Sequence, residues 1–254
     1  MLRPRIIPCL LIKNDGLVKT IRFSDFKYVG DPINAVRIFN EKEVDELIVL
    51  DIDATVQRRE PNYALIARLA AECRMPLCYG GGIKTVEQTQ QIIGLGVEKV
   101  AISAAAVQTP ELISEAAVRV GSQSIVFVMD VKKSGLLRRY EIFTHNGTRA
   151  TGLDPTNFAR QVAKLGAGEI VINSIDRDGE MKGYDLDLIE RVRSETSLPI
   201  TALGGASSLD DVRSLIRRFG IIGAAAGSLF VFKGKYRAVL INYPSRSEKD
   251  ALML

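Results

Sequence analysis

The sequence has no tryptophan, a single histidine, His145, and three cysteines, Cys9, Cys73 and Cys78. One histidine and three cysteines without metal-ligand spacing leave no zinc site of ordinary type, and an odd number of thiols cannot be fully paired. The expectation is three buried, reduced, apolar thiols in a cytoplasmic protein with no metal and no cofactor. No apolar run approaches the ~18 residues that a membrane helix needs. The first residues, Met1 to Pro8, carry no secretory-signal pattern, so no membrane insertion is expected. Neither sign of charge is in marked excess. The 34 Lys+Arg and 30 Asp+Glu give a formal net charge of +4 spread along the chain, which offers no basis for nucleic-acid binding. A hydrophobic fraction of 46% excludes disorder, because such a chain has enough apolar surface to offset its conformational entropy.

What is present is alternation. Short runs rich in Val, Ile and Ala, ending in Gly, Asp or Ser, read as strands buried on both faces of a parallel sheet. They are Ile6–Leu11, Glu46–Asp51, Leu77–Tyr79, Lys99–Ser103, Ser124–Asp130, Glu169–Asn173, Ile200–Leu203 and Ile222–Ala226. Helical periodicity fills the intervals, with start signals at Asp31-Pro32, Thr85, Pro110, Asp154-Pro155, Asp185 and Ser208. Asp51-Ile-Asp-Ala resembles Ile175-Asp-Arg-Asp-Gly half a chain later. Gly80-Gly-Gly-Ile resembles Gly204-Gly-Ala at an offset that agrees within one residue. A half-chain repeat of four strand–helix units predicts a single (β/α)8 TIM barrel with a half-barrel internal repeat over residues 1–244, and a polar C-terminal tail over 245–254. The repeated Gly and Asp residues fall at the carboxyl ends of strands, the face on which such barrels carry their sites.

Arg138–Gly152 holds two β-prone runs about an Asn-Gly turn and predicts a hairpin after the fifth strand, with His145 as a solvated surface residue. Glycine turns let backbone N–H groups approach an anion. Gly204, Gly205, Gly227 and Ser228 predict a phosphate seat in the second half, with Gly179 closing over it. Gly81, Gly82 and Ser103 predict a matching seat in the first half, unless these glycines merely turn the chain. Two seats across one mouth suit an elongated, phosphorylated small molecule. Lys19, in the long first loop Lys13–Asp25, is a candidate to reach across to an anion. Asp130, ending the fifth strand with Asp51, Asp53, Asp176 and Asp178 nearby, is a candidate general acid/base. A second acid opposite it is missing, because the first strand ends Cys9-Leu10-Leu11-Ile12.

Over essentially its whole length the chain resembles the cyclase subunit of imidazole glycerol phosphate synthase. The resemblance is carried by Arg5-Ile-Ile-Pro-Cys-Leu, Gly30-Asp-Pro, Asp45-Glu-Leu, Leu50-Asp-Ile, Gly80-Gly-Gly-Ile, Gly121-Ser-Gln, Gly166-Ala-Gly-Glu-Ile and Ser174-Ile-Asp-Arg-Asp-Gly with Lys182-Gly-Tyr-Asp. It implies a glutaminase subunit on the amino-terminal face of the barrel, near Glu98. It also implies an ammonia gate of four charged residues, matched here by Arg5, Glu46, Lys99 and Glu169. At the mouth it implies a pair of acid/base aspartates. Asp130 matches one and Leu11 replaces the other, and the family's Asn-Thr after the fourth strand reads Ser103-Ala104. The substrate-binding positions it implies are Lys19, Asp51, Gly82, Ser103, Asp176, Gly179, Gly205, Gly227 and Ser228.

The departures at the mouth resemble a paralogue of bacterial surface-polysaccharide clusters, a cyclase-like acetamidino modification protein. The matching stretches are Cys9-Leu-Leu-Ile-Lys, Lys27-Tyr-Val-Gly-Asp-Pro-Ile-Asn-Ala and Gly227-Ser-Leu-Phe-Val-Phe-Lys-Gly-Lys-Tyr-Arg. That resemblance implies a barrel channelling ammonia to a sugar amidotransferase in lipopolysaccharide and O-antigen biosynthesis. The alternative is a working cyclase, a lyase of histidine biosynthesis, in which Asp51 or Asp176 replaces the absent acid. A third reading is a non-catalytic adaptor for the glutaminase.

Overall fold

The computed structural model describes residues 3–234 and 236–252, and eight of its strands run parallel and close on themselves. They are β1 (Arg5–Lys13), β2 (Leu47–Asp51), β3 (Leu77–Gly80), β4 (Lys99–Ile102), β5 (Ile125–Ser134), β6 (Glu169–Ser174), β7 (Ile200–Leu203) and β8 (Gly223–Ala226). Each pairs with its chain neighbour, and β8 pairs with β1. The predicted closed barrel is therefore the observed fold, and all eight predicted strands are present.

The outer ring consists of α1 (Pro32–Glu41), α2 (Tyr63–Glu72), α3 (Val86–Gly94), α4 (Glu111–Val120), α5 (Pro155–Lys164), α6 (Leu186–Arg193), α7 (Leu209–Phe219) and α8 (Arg246–Leu252). Their starts follow the start signals. The Asp31, Thr85, Asp154 and Asp185 side chains accept backbone N–H groups of the first turns of α1, α3, α5 and α6, and Ser208 with Asp211 forms a reciprocal capping box on α7. One apolar layer lies between helices and strands. A second fills the barrel itself, where Ile7, Cys9, Ile48, Cys78, Val126, Val128 and Val171 point inward.

Three segments differ from expectation. The loop Lys13–Asp25 is a ribbon: β1 continues to Lys13, turns at Asn14-Asp15, and returns as Gly16–Ile21 paired with Ser24–Gly30. Its distal turn places Arg22 and Phe23 at φ 51° and 63°, a left-handed conformation that costs a non-glycine residue about 1–2 kcal/mol. Asp178 offsets that strain. Its backbone oxygen accepts from the Arg22 amide at 3.0 Å, and its carboxylate accepts from the Phe23 amide at 3.2 Å and the Thr20 hydroxyl at 2.6 Å. The segment expected as a polar tail is also ordered over α8. Ser245 and Glu248 cap each other, Lys249 reaches Asp45 at 2.7 Å and Leu252 is buried, while residues 253 and 254 lie outside the described residues. Finally, Cys73 is only half-buried where α2 ends, whereas Cys9 and Cys78 are buried in the barrel.

Candidate functional site

At the amino-terminal end of the barrel the strands begin with charge. Arg5, Lys99 and Glu169 are the first residues of β1, β4 and β6, and Glu46 immediately precedes β2. The inward direction of these positions brings four residues, far apart in sequence, into one ring. Arg5 donates to Glu46, and to Glu169 at 2.7 Å, while Lys99 donates to both glutamates at 2.8 Å. The Thr201 hydroxyl also donates to Glu169. Burial works against every charge here, but Arg5 and Lys99 outweigh it and hold the Glu169 carboxyl below its ordinary value. The two glutamates raise both Arg5 and Lys99 against the same burial. The ring is thus closed, neutral and mutually satisfied, the condition under which buried charge persists. Glu98, beside it, is exposed and caps the Leu77 amide at 2.7 Å.

At the opposite end a cavity opens over the strand termini. Among the predicted residues it is lined by Leu11, Lys19, Asp51, Gly82, Ser103, Asp130, Gly179, Gly205, Gly227 and Ser228. Asp130 rises from β5. Burial lifts its carboxyl from 3.8 to about 7, the Asn173 amide works against the rise at 2.9 Å, and Asp178 adds to it. Lys19 lies on the wall of the cavity: its ammonium donates to the Cys9 carbonyl at 2.8 Å and is buried, which lowers its proton affinity. Gly227 makes room for it, since a Cβ there would stand 2.0 Å from Lys19 Nζ. The charge therefore sits at the second-half glycine seat. Gly205 has φ 103°, and a Cβ on it would meet the Gly183 carbonyl at 2.2 Å. Gly81, with φ 122°, passes equally close to the Asp51 carbonyl. Asp51 is committed to its own loop, accepting the Asp53 and Ala54 amides at 3.0 Å each and facing Arg59.

Two expectations about this face change. Asp176 does not line the cavity; its carboxylate accepts the Lys133 amide at 2.9 Å. The helical turn Ile175–Arg177 rotates the chain so that Asp178, two residues on, is the acid presented to the mouth. His145 is not a solvated surface residue but lines the cavity. The hairpin Arg139–Thr144 and Arg149–Ala150 extends from β5 in a register that pairs Phe143 with Asp130, which carries the His145-Asn146 turn over the mouth. His145 Nδ1 shares a hydrogen with Thr144 Oγ1 at 3.1 Å, and burial, Arg149 and Arg58 lower its proton affinity. Leu11 and Ala104 also face the cavity, as apolar surface. Asn173, which sequence reasoning missed, could have been found as the inward residue two positions after Val171.

A family model described as histidine biosynthesis protein matches residues 5–237. A Leptospira borgpetersenii protein named "Putative imidazole glycerol phosphate synthase subunit HisF" is 58% identical over 252 residues, covering 99% of each chain. A Vibrio vulnificus protein of the same designation, numbered hisF3, is 57% identical over 249 residues, 98% of this chain and 96% of its own. The imidazole glycerol phosphate synthase subunit HisF of Alkaliphilus metalliredigens is 41% identical over 230 residues, 91% of each chain.

Proposed function

The chain belongs to the histidine biosynthesis protein family, among the HisF cyclase subunits, and on that premise we propose that it works as the cyclase-type barrel of an imidazole glycerol phosphate synthase. In this reading a glutaminase subunit docks on the amino-terminal face and ammonia enters past Arg5, Glu46, Lys99 and Glu169. A substrate with a phosphate at each end lies across the mouth. Gly205, Gly227 and Ser228 hold one phosphate, with the Lys19 ammonium as counter-charge, and Gly179 closes over it. Gly82 and Ser103 receive the other, and Asp51 shapes the loop beside them.

The observation that supports this reading most is Asp130. A carboxyl under the mouth whose proton affinity lies near neutrality both takes and returns a proton at working pH, the condition for efficient general acid/base catalysis. The purified chain, given the phosphoribulosyl substrate and ammonium salts, is expected to form imidazole glycerol phosphate, and Asp130→Asn is expected not to. Absence of product from the unaltered chain refutes the reading.

Leu11 favours a second reading. It lines the same mouth at the place where the resemblance implies the partner acid, and leucine carries no proton. In this reading the barrel passes ammonia to a sugar amidotransferase that makes acetamidino sugars, and the mouth holds a phosphorylated ligand without cyclising it. Lys99→Ala then uncouples glutamine hydrolysis from sugar amidation. Unchanged coupling leaves the barrel as an adaptor.

A further inference from the structure

Resting on the reading that ammonia enters this barrel, we infer that the Asp130 carboxylate and the Asn173 amide form a seat for ammonia where the barrel interior opens into the mouth. The placement follows from two adjacent strands. Along β6 the inward residues are Glu169, Val171 and Asn173, and along β5 they are Val126, Val128 and Asp130. The register pairs Val128 with Val171 and Asp130 with Asn173. Above the charged ring the wall is apolar, built from residues such as Ile7, Ile48, Val126 and Ala225. On these two strands, the first polar side chains that a small molecule meets beyond that dry stretch are Asp130 and Asn173.

Their hydrogen bonding leaves one buried acceptor unpaired among the described residues. Asn173 is 6% exposed, and its Nδ2 donates to Asp130 Oδ1 at 2.9 Å. Its Oδ1 accepts from no described residue. An unsatisfied buried acceptor is costly, so such an oxygen calls for a donor. Ammonia brings three N–H donors. The charged and titratable groups around the pair are Asp178, which faces Asp130, and the Cys9 thiol with Lys19 behind it; none of them donates to Asn173. An ammonium ion brings a fourth N–H donor, and its charge is balanced by the ionised Asp130 carboxylate, so no net charge is left in an apolar surround and the ionised carboxylate is favoured.

The test is a carboxyl-carbon NMR titration of the full chain labelled at aspartate, with the Asp130 signal identified by its loss in Asp130→Asn. Ammonium chloride and potassium chloride are compared at equal concentration, because the two ions are similar in size and only ammonium donates hydrogen bonds. Ammonium is expected to lower the Asp130 midpoint by roughly one pH unit relative to potassium, the effect of a cation held against a carboxylate. Asn173→Leu is expected to abolish the difference. Equal midpoints in the two salts overturn the seat and leave the Asn173 oxygen to water. An ammonium-specific shift that survives in Asn173→Leu overturns the part given to Asn173. The readout needs no turnover: a chain that makes no imidazole product yet shows the shift keeps the seat, and one that makes product without the shift loses only the seat.

Discussion

Replacing Asp130 by asparagine should make the protein more stable above neutral pH while removing its proposed chemistry. A carboxyl whose proton affinity is higher in the folded than in the unfolded chain favours folding when protonated and opposes it when ionised. For Asp130 the penalty starts as pH rises past the unfolded value near 3.8 and is complete above about 7. At ~1.4 kcal/mol for each tenfold change in proton affinity, that interval bounds the penalty near ~4 kcal/mol. Asp130 lines an open cavity, where water screens part of the charge, so the expected gain for Asp130→Asn at pH 8 is about 1–3 kcal/mol. An asparagine keeps an oxygen for the Asn173 amide, and this interaction therefore survives the change. Urea unfolding of both proteins at pH 4 and pH 8 measures the effect: near-equal midpoints at the lower pH and a stabilised variant at the higher. A variant that is less stable at pH 8, or equally displaced at both values, refutes the assignment of a raised carboxyl to this position.

Further outcomes follow from the geometry. Lys99→Met leaves Glu46 and Glu169, with side chains 4% and 6% exposed, sharing Arg5 alone; urea unfolding at pH 7 should show a loss of about 2–4 kcal/mol, below the full buried-pair value because Lys99 is itself 19% exposed. The ring holds Glu169 low, a stabilisation present above the unfolded carboxyl's value and lost as pH falls through the folded one, so acid unfolding of the same variant should begin at a higher pH. His145 is the only histidine, so one imidazole proton signal reports it; its midpoint should lie below 6.5, and Arg58→Gln should raise it. Asp178→Ala removes the acceptor of the Phe23 amide and the Thr20 hydroxyl, and trypsin should then cut after Arg22 at least tenfold faster under native conditions, a change absent if the ribbon holds without that carboxylate.

The barrel was legible because its signals are local. Each inward or buried strand is a short Val/Ile-rich run, and each capping side chain stands at the start of its own helix. The ring was legible only through resemblance, since nothing near Arg5 or Lys99 says that their strands meet. Other features depend on contacts that sequence does not display. Left-handed Arg22 and Phe23 carry no turn signature, and Asp178, more than 150 residues away, makes their conformation tenable. The hairpin around His145 was readable, but its direction is set by pairing with β5, and that register decides whether the imidazole meets water or the cavity. Asp176 and Asp178 look equivalent in the sequence until one short helical turn gives them different partners and only Asp178 reaches the cavity. The Ser245–Glu248 cap was present in the sequence and was obscured by the polar composition around it.

Two positive and two negative charges alternating around one narrow opening form a quadrupole, whose field fades with distance far more steeply than that of a single ion. Such a ring is strongly felt by a molecule inside it and almost unseen by a protein still approaching. The groove beside the ring carries a charge of longer range, since its Arg3, Lys42, Arg246 and Lys249 outnumber Glu43, Asp45 and Asp250. Added salt should therefore weaken the field of the groove without loosening the ring, because screening acts on exposed, separated charges and much less on contacts closed at 2.7–2.8 Å.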